Sequence, residues 1–225
     1  MLANLRRGPD RASALARYRV LAPRYDVNCR WLAEARAAAI EALALRAGET
    51  VFDVGCGTGA ALPALAHAVG ASGRVVGIEQ SPEMAAIARE RIRQARVTHR
   101  VTLVVEAVEE ATFDTRADAM LLCYAHDVMQ SDRALVRLSA AAKPGARIAV
   151  AGARFLPWLW AAPINLWTAV RARRYLTTYR GLRQPWAKLA PYCDEFKLRR
   201  SFHIGTSYLA VGTLRPTVAY DALGR

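Results

Sequence analysis

The stretch V-F-D-V-G-C-G-T-G at residues 51–59 decides the fold class that we predict for this chain. It begins with an apolar run that is typical of a buried parallel strand. Three glycines follow at once, Gly55, Gly57 and Gly59, where the chain must turn sharply and let a ligand approach its backbone. A helical pattern then runs to about Val69. A strand, a glycine turn and a helix N-terminus together predict a site whose unpaired N–H groups attract an anion.

A dinucleotide is one candidate ligand for this site. Gly55, Gly57 and Ala60 satisfy the loose form G-x-G-x-x-G/A of the dinucleotide fingerprint. Two features argue against it, because Asp53 stands where a dinucleotide strand normally has an apolar residue and the third glycine falls at Gly59. An acid beside a cramped glycine turn suits a ligand that carries an ammonium and a carboxylate, such as an amino-acid moiety.

The segment resembles the motif D-x-G-x-G-x-G of class I S-adenosylmethionine-dependent methyltransferases. The resemblance implies that S-adenosylmethionine is the cofactor and that the acid and the turn bind it, through Asp53, Gly55, Cys56, Gly57 and Gly59. Glu79 ends the second predicted strand, where the family places an acid that binds both ribose hydroxyls. The surrounding V-V-G-I-E-Q-S-P-E-M is similar to the family throughout and adds Gln80 as a cofactor contact.

Further cofactor contacts are predicted around the adenine ring, with alternatives that stay open. Met84, on the first turn of a predicted helix, either lies beside the ring or fills the core. After the third strand many family members read G-D-A, whose acid bonds to the adenine amino group, but this chain reads Glu106-Ala107-Val108. Because Ala107 occupies the position of the acid, we expect adenine to be read by the Val108 N–H or by a shifted Glu106.

Apolar runs alternate with helical patterns over most of the chain. Strands are predicted at 50–54, 74–78, 101–105, 119–123, 147–151, 196–202 and 208–214, and helices at 10–22, 27–45, 60–69, 82–95 and 132–142. This alternation predicts a doubly wound α/β sheet of seven strands, mostly parallel, with a C-terminal antiparallel hairpin like that of the methyltransferase family. We expect one domain over 1–225, divided into a helical lid (1–48), a cofactor-binding core (49–152), a substrate-binding insertion (153–195) and the terminal hairpin (196–214).

The segment C-Y-A-H-D at residues 123–127 follows the fourth predicted strand. Ligands of open α/β sheets bind beyond the carboxyl ends of the strands, so this segment is predicted to border donor and acceptor, with Tyr124 on the cofactor side. His126 is the candidate catalytic base and acceptor contact, because imidazole titrates near neutrality. The alternative is a histidine that satisfies a loop, with Asp127 as a helix cap. The histidines elsewhere are assigned no role: His67, His99 and His203.

Two further segments are predicted to contact the acceptor. Tyr25 and Asp26 resemble the Y-D element of quinone-type small-molecule methyltransferases, which implies that Tyr25 covers the methionine end of the cofactor under a lid to which Tyr18 also contributes. Both tyrosines could equally pack as core. In the insertion, F-L-P-W-L-W-A-A-P-I-N-L-W is apolar and aromatic, and arginines follow it. There we expect acceptor contacts from Trp158, Trp160 and Trp186; the alternative is a second small core that roofs the site.

Composition limits the classes of partner. The chain of 225 residues carries a net charge of +13, which favours an anionic partner or an acidic substrate. No apolar run reaches the roughly 18 residues of a membrane-spanning helix, and no signal peptide is recognisable. Four cysteines without C-x-x-C spacing argue against a zinc site, so no metal is predicted, and fit a reduced, cytoplasmic protein.

These observations predict an S-adenosylmethionine-dependent methyltransferase that acts on oxygen or nitrogen of a hydrophobic or aromatic small molecule. The insertion, with its tryptophans and arginines, also suits a membrane lipid head group or a quinone ring as acceptor, at the surface of an anionic membrane. Nucleic-acid methylation is disfavoured, because no N-P-P-Y-type motif follows strand four. A protein that binds the cofactor without catalysis is the remaining alternative, and the oligomeric state stays open.

Overall fold

A seven-stranded sheet forms the centre of the structure, a computed structural model that describes residues 8–215. Most of its strands are short apolar runs, as expected where helices cover both faces. In chain order the strands are β1 (Thr50–Val54), β2 (Arg74–Ile78), β3 (Val101–Val104), β4 (Ala117–Cys123), β5 (Ala142–Ala153), β6 (Cys193–Phe202) and β7 (Ser207–Leu214).

Helices precede the sheet and connect its strands. In chain order they are α1 (Arg11–Leu21), α2 (Tyr25–Asn28), α3 (Ala33–Ala42), α4 (Leu62–Ala68), α5 (Pro82–Gln94), α6 (His126–Met129), α7 (Asp132–Ala140) and α8 (Ala162–Ala172). Short 3-10 turns lie at Ala22–Arg24, Arg30–Leu32, Leu159–Ala161, Ala190–Tyr192 and His203–Gly205. Within residues 8–215, no helix has both the length and the apolar character that crossing a membrane requires.

The strand order is β3-β2-β1-β4-β5-β7-β6. Strands β1 to β5 run parallel, whereas β7 is antiparallel to both β5 and β6. The predicted seven-stranded α/β sheet with its C-terminal antiparallel hairpin is confirmed. The strand order reverses between β1 and β4, and ligands of such sheets bind beyond the carboxyl ends of the strands at this point.

Alternate residues of β1 serve the two faces of the sheet. Phe52 and Val54 pack into one apolar cluster with Met120, and Val51 packs into a second cluster with Leu121 on the other face. All five side chains are fully buried. The register of β1 is therefore fixed, because a shift by one residue would move every side chain to the other face of the sheet.

The predicted second helix, over 27–45, is wrong. The structure breaks it at Cys29, whose φ of −111° and ψ of 13° lie outside the helical region. A 3-10 turn at Arg30–Leu32 follows, and α3 starts only at Ala33. Cys29 and Leu32 are both buried where the helical path is interrupted.

Two other boundaries differ from the prediction. Helix α4 begins at Leu62, two residues later than expected, because the glycine turn continues to Ala61. Strand β5 begins at Ala142, five residues before the predicted start at 147, so Lys143, Pro144 and Gly145 lie within it. Ala142 pairs with Ala117 and the register then shifts, while Gly145 adopts a φ of +75° that supplies the irregularity.

We predict that Gly59→Ala destabilises the fold more than Gly145→Ala does. Both glycines have a left-handed backbone, with φ of +72° and +75°, which costs a non-glycine residue roughly 1–2 kcal/mol. A Cβ on Gly59 would also lie 2.9 Å from Leu62 Cδ1 and 3.0 Å from Ala88 Cβ, whereas nothing lies within 4 Å of a Cβ on Gly145. Overpacking should therefore cost Gly59→Ala about 1–3 kcal/mol more in urea unfolding; equal midpoints would contradict the close packing of the turn on α5.

Candidate functional site

Several backbone amides of the glycine turn after β1 already donate hydrogen bonds to protein carbonyls. The Gly55 and Cys56 N–H groups both donate to the Ile78 carbonyl, at 2.8 and 3.0 Å, and the Gly59 N–H donates to the Cys56 carbonyl at 2.9 Å. The prediction that unpaired amides of this turn attract an anion is therefore wrong for these groups. The turn instead leaves space for a ligand, because Gly55 and Gly57 carry no side chains.

The Glu79 carboxylate closes the turn from the end of β2. Its Oε2 accepts a hydrogen bond from the Gly57 N–H at 2.9 Å, and its Oε1 accepts one from the Ser81 N–H at 2.7 Å. Burial raises the pKa of Glu79, and these two donors oppose the rise because they stabilise the carboxylate. Each oxygen keeps further acceptor capacity, so Glu79 can also bind hydroxyl groups.

A cavity of about 340 Å³ adjoins this carboxylate, and we call it the glycine-loop cavity. It brings together most of the predicted cofactor contacts: Gly55, Gly57, Glu79, Gln80, Met84, Ala107, Val108, Tyr124 and Tyr25. A Cβ on Gly57 would approach Met84 Cε to 3.4 Å, so Met84 faces the turn across the cavity. Glu106, which is exposed, lines the same cavity, and both alternatives for reading adenine therefore remain open.

Three predicted contacts do not line either cavity found at this edge: Asp53, Cys56 and Gly59. The Cys56 thiol packs inward, where it would lie 3.1 Å from a Cβ on Gly77. Gly59 instead allows close packing on α5. Asp53 is 2% exposed, and its Oδ2 is buried with no hydrogen-bond partner among the described residues. Burial raises the pKa of Asp53 to about 7, against the opposing charge of Arg36.

A second and larger cavity, of about 580 Å³, lies next to the first, and we call it the aromatic cavity. Rings form much of its lining: Tyr18, Tyr25, Trp31, Tyr124, Trp167 and Tyr175. Several meet edge to face, with ring centroids 5.8 Å apart for Tyr25 and Tyr175 and 5.8 Å apart for Trp31 and Tyr124. Such contacts fix the ring orientations and leave an apolar space suited to a planar molecule.

The two cavities meet at residues that line both of them, which we call the shared wall: Tyr18, Tyr25, Tyr124, His126, Tyr175 and Leu176. Burial raises the pKa values of Tyr18, Tyr25 and Tyr124, so their hydroxyls stay protonated. The Tyr18 hydroxyl donates to the Tyr175 carbonyl at 3.1 Å, and the Tyr124 hydroxyl donates to Ser207 Oγ at 3.0 Å. The tyrosine hydroxyls of the shared wall are thus neutral, and those of Tyr18 and Tyr124 already donate to other protein groups.

His126 is the imidazole of the shared wall. Its Nε2 lies 3.0 Å from the Arg180 carbonyl, an oxygen that can only accept, so Nε2 carries the proton. Burial lowers the pKa of His126 to about 4, and the ring is therefore neutral near pH 7. Its Nδ1 is then a lone pair, buried with no partner among the described residues. This is an acceptor held ready for an O–H or N–H group.

Asp127 does not cap a helix, contrary to the alternative considered for it. Its Oδ2 accepts hydrogen bonds from the Thr177 N–H and hydroxyl, at 3.2 and 2.6 Å. Burial raises its pKa, and the two Thr177 donors oppose that rise. Asp127 thereby connects the segment after β4 to the part of the insertion that follows α8.

The N-terminal helices bridge the insertion and the glycine turn. From α1, the Arg17 guanidinium donates to the Arg173 carbonyl at 3.0 Å. From α2, Asp26 accepts a hydrogen bond from the Thr58 hydroxyl at 2.6 Å and pairs with Arg91 of α5. Asp26 of the predicted Y-D element is therefore the residue that attaches these helices to the turn, and Tyr25 beside it reaches both cavities.

The predicted acceptor contacts of three tryptophans are not found. Trp158 and Trp160 stack on each other, with centroids 5.1 Å apart, and are 51% and 67% exposed. Asn165 binds the Leu156 backbone in both directions and so fixes the chain that leads to them. Trp186 packs on Tyr208 in the core of the opposite face, with centroids 4.8 Å apart, because the chain there returns to β6.

Other residues take their place in the aromatic cavity. Trp31, Trp167 and His203 line it, and Trp31 contacts the His203 ring at 5.0 Å between centroids. His203, which was assigned no role from the sequence, lies at this cavity in the structure. Its place in the turn between two predicted strands was the available signal, since β7 lies beside β5 and carries that turn to the cavity. The alternative of a second small core is also found, formed by Ala169, Leu176, Tyr179 and Leu182.

Comparison with known proteins agrees with this geometry. A family profile described as "Methyltransferase domain" matches residues 51–145, which include the glycine turn, Glu79 and His126. A 2-phytyl-1,4-naphtoquinone methyltransferase of Nostoc punctiforme is 28% identical over 192 residues, covering 79% of this chain and 80% of that one. Residues 51–145 thus match a methyltransferase domain, and the chain is similar to S-adenosylmethionine-dependent methyltransferases. This similarity supports S-adenosylmethionine as the cofactor.

Two further comparisons describe proteins to which the chain is similar. A ubiquinone/menaquinone biosynthesis C-methyltransferase of a Geobacter species is 30% identical over 141 residues, and the match covers 58% of each chain. The chain therefore spans less than two thirds of that relative's length. A SAM-dependent O-methyltransferase from Thermotoga maritima superposes with a TM-score of 0.58 at 21% identity, over 81% of this chain and 65% of that one, a likeness that shows the fold.

The residues at the glycine-loop cavity fit S-adenosylmethionine. Glu79 has acceptor capacity left for ribose hydroxyls, and Gly57 leaves open the space that a side chain would fill. Asp53 does not line the cavity, but its buried Oδ2 has no partner among the described residues and keeps acceptor capacity near the end of β1. The cavity itself therefore offers acceptors for hydroxyl groups and space beside the glycine turn.

We predict that Glu79→Gln lowers the affinity for S-adenosylmethionine by roughly ten- to a hundredfold, the range for losing hydrogen bonds to a charged group. An amide places an N–H₂ where an oxygen now accepts a backbone N–H. Calorimetry of the purified variant measures the change. Glu90→Gln is the matched control, because Glu90 is exposed on α5 and pairs only with neighbouring side chains. Equal affinities for the two variants would remove Glu79 from the cofactor site.

Proposed function

We propose that the protein transfers a methyl group from S-adenosylmethionine to a hydrophobic aromatic small molecule that carries a hydroxyl or amino group. The observation that carries the proposal is the unpaired Nδ1 of His126 in a wall shared by two cavities. One cavity fits the cofactor and the other offers aromatic rings to a planar acceptor. A methyl donor and its acceptor would therefore meet at the only imidazole of the shared wall.

When bound, S-adenosylmethionine supplies an electrophilic methyl group. The protein's own contribution is to hold the acceptor in line with it, and such positioning supplies much of the rate gain in displacement reactions. Trp31, Tyr124 and Trp167 offer ring faces and edges to the acceptor. The neutral His126 accepts the acceptor's O–H or N–H proton at Nδ1, while the Arg180 carbonyl stabilises the imidazolium that forms.

The atom that receives the methyl group is the finer part of the proposal. Oxygen or nitrogen follows directly from the hydrogen bond to His126. Relatives named as quinone and C-methyltransferases support a ring carbon as the alternative, because removal of a phenolic proton also raises electron density on the ring. A screen of phenols, naphthols, quinols and aromatic amines with labelled S-adenosylmethionine tests the function, and NMR of the product identifies the methylated atom. Cofactor binding without turnover of any aromatic acceptor would contradict it.

We predict that His126→Ala lowers kcat about 10²–10⁴-fold, the usual contribution of a general base, with S-adenosylmethionine affinity unchanged. His99→Ala is the control, because His99 is exposed and lies outside both cavities. Since the pKa of His126 is lowered to about 4, protonation of this base should reduce the wild-type rate only below about pH 5. Wild-type kcat in the variant at every pH would exclude His126 as the base.

A lipid-linked acceptor is the second candidate, and an exposed apolar surface favours it. Trp158, Leu159 and Trp160 are 51%, 91% and 67% exposed, and α8 adds Leu166 and Trp167 at 53% and 55%. Tryptophan and leucine beside arginines are typical of segments that lie at a membrane interface. Trp167 also lines the aromatic cavity, so a membrane at this surface would adjoin the acceptor space.

We predict for this candidate that the protein sediments with phosphatidylglycerol vesicles and that a double Trp158→Ala, Trp160→Ala variant does so at least tenfold more weakly. The reason is the loss of apolar surface that would enter the interface. Val136→Ala is the control, because Val136 is 50% exposed on α7. Equal recovery of wild type with neutral and anionic vesicles, or no recovery at all, would count against a lipid-linked acceptor.

A further inference from the structure

An arginine is fixed between two tryptophans at the aromatic cavity. The Arg171 Cζ lies 5.3 Å from the centroid of the Trp31 ring and 4.7 Å from that of Trp167. These cation–π contacts join α8 to the segment before α3 and restrict the guanidinium. Stacking uses the faces of the guanidinium and leaves its N–H edges available in the plane, which is the geometry that binds a carboxylate through two hydrogen bonds.

In the part of the chain that the structure describes, acidic side chains line only the glycine-loop cavity, where Arg11 and Arg133 also lie. The aromatic cavity is lined by Arg171, Arg173 and Arg174, and none of the described residues that line it is Asp or Glu. The glycine-loop cavity contains the acids instead: Asp10, Glu79, Glu106, Glu109, Glu110 and Asp127. The ion pairs formed within residues 8–215 include none of the three arginines of the aromatic cavity. A concave surface with unpaired cations attracts anions.

We propose that the acceptor carries a carboxylate, which Arg171 binds at the aromatic cavity. The inference rests on the proposed function and narrows its substrate class to hydroxylated or aminated aromatic acids. Arg171 lines only the aromatic cavity, whereas His126 lies in the shared wall, so the two residues would bind different ends of one molecule. A carboxylate would form a charge-assisted, two-point hydrogen bond with Arg171 that a neutral acceptor lacks, which gives the site selectivity for the acid.

The test compares a hydroxynaphthoate with the corresponding naphthol, by calorimetry on protein saturated with S-adenosylhomocysteine. Binding is measured without turnover, so a failed methyl-transfer assay does not affect the result. We expect the acid to bind wild type at least tenfold more tightly than the naphthol, and Arg171→Gln to remove this preference while leaving naphthol affinity unchanged. Arg171→Lys should restore part of it, because the charge remains but the planar fork is lost. Arg89→Gln, exposed on α5 outside both cavities, should keep it in full.

Equal affinities of wild type for the two ligands, or binding of neither, would overturn the proposal. So would an Arg171→Gln variant that loses both ligands equally, since that result indicates a structural role in holding Trp31 and Trp167. Anionic vesicles added as a third ligand separate a soluble acid from a lipid. If Arg171→Gln abolished vesicle binding and the paired ligands were not distinguished, the guanidinium would belong to a lipid head-group site.

Discussion

The contact between the Glu79 carboxylate and two backbone amides is the constraint on which the cofactor side depends. It joins the turn after β1 to the start of α5, because one oxygen holds Gly57 and the other holds Ser81. Ser81 in turn caps α5, which carries Met84 to the cavity. A buried carboxylate without these donors would be costly. Glu79, the glycine turn and the start of α5 therefore depend on one another, and loss of the carboxylate would leave both backbone amides without their acceptor.

The acceptor side is assembled from segments far apart in the chain. The parallel strands bring Glu79 and His126 to the same edge, because both follow the carboxyl end of a strand. The aromatic cavity is completed by Trp31 before α3, Trp167 on α8 and His203 between β6 and β7. The strand ends thus position the cofactor site, and the segments outside the sheet form the aromatic cavity for the acceptor. Acceptor preference can therefore change without altering the cofactor site.

Sequence patterns predicted the parts of the site that the strands position. Glu79 and His126 lie where the strand ends were expected, because strand ends follow from apolar runs and turn residues. Trp158 and Trp186 were misplaced, since aromatic character does not tell which face of an insertion a side chain takes. Pairing of the turn amides was also missed, because it requires the Ile78 carbonyl to reach across from β2. Long-range contacts, and not local propensity, decided each of these cases.

The attachment of the N-terminal helices to the glycine turn is polar and therefore sensitive to dissolved salt. Asp26 holds Thr58 and Arg91 through polar atoms, and the Arg91 and Asp26 side chains are 28% and 41% exposed. Ions in such partly hydrated pairs are readily solvated when separated, and dissolved salt screens them. Separation of Asp26 from Thr58 and Arg91 thus exchanges polar contacts for water at modest cost, while the apolar contacts of the sheet are unaffected. Ionic strength should accordingly affect this attachment beside the cofactor turn far more than the stability of the sheet.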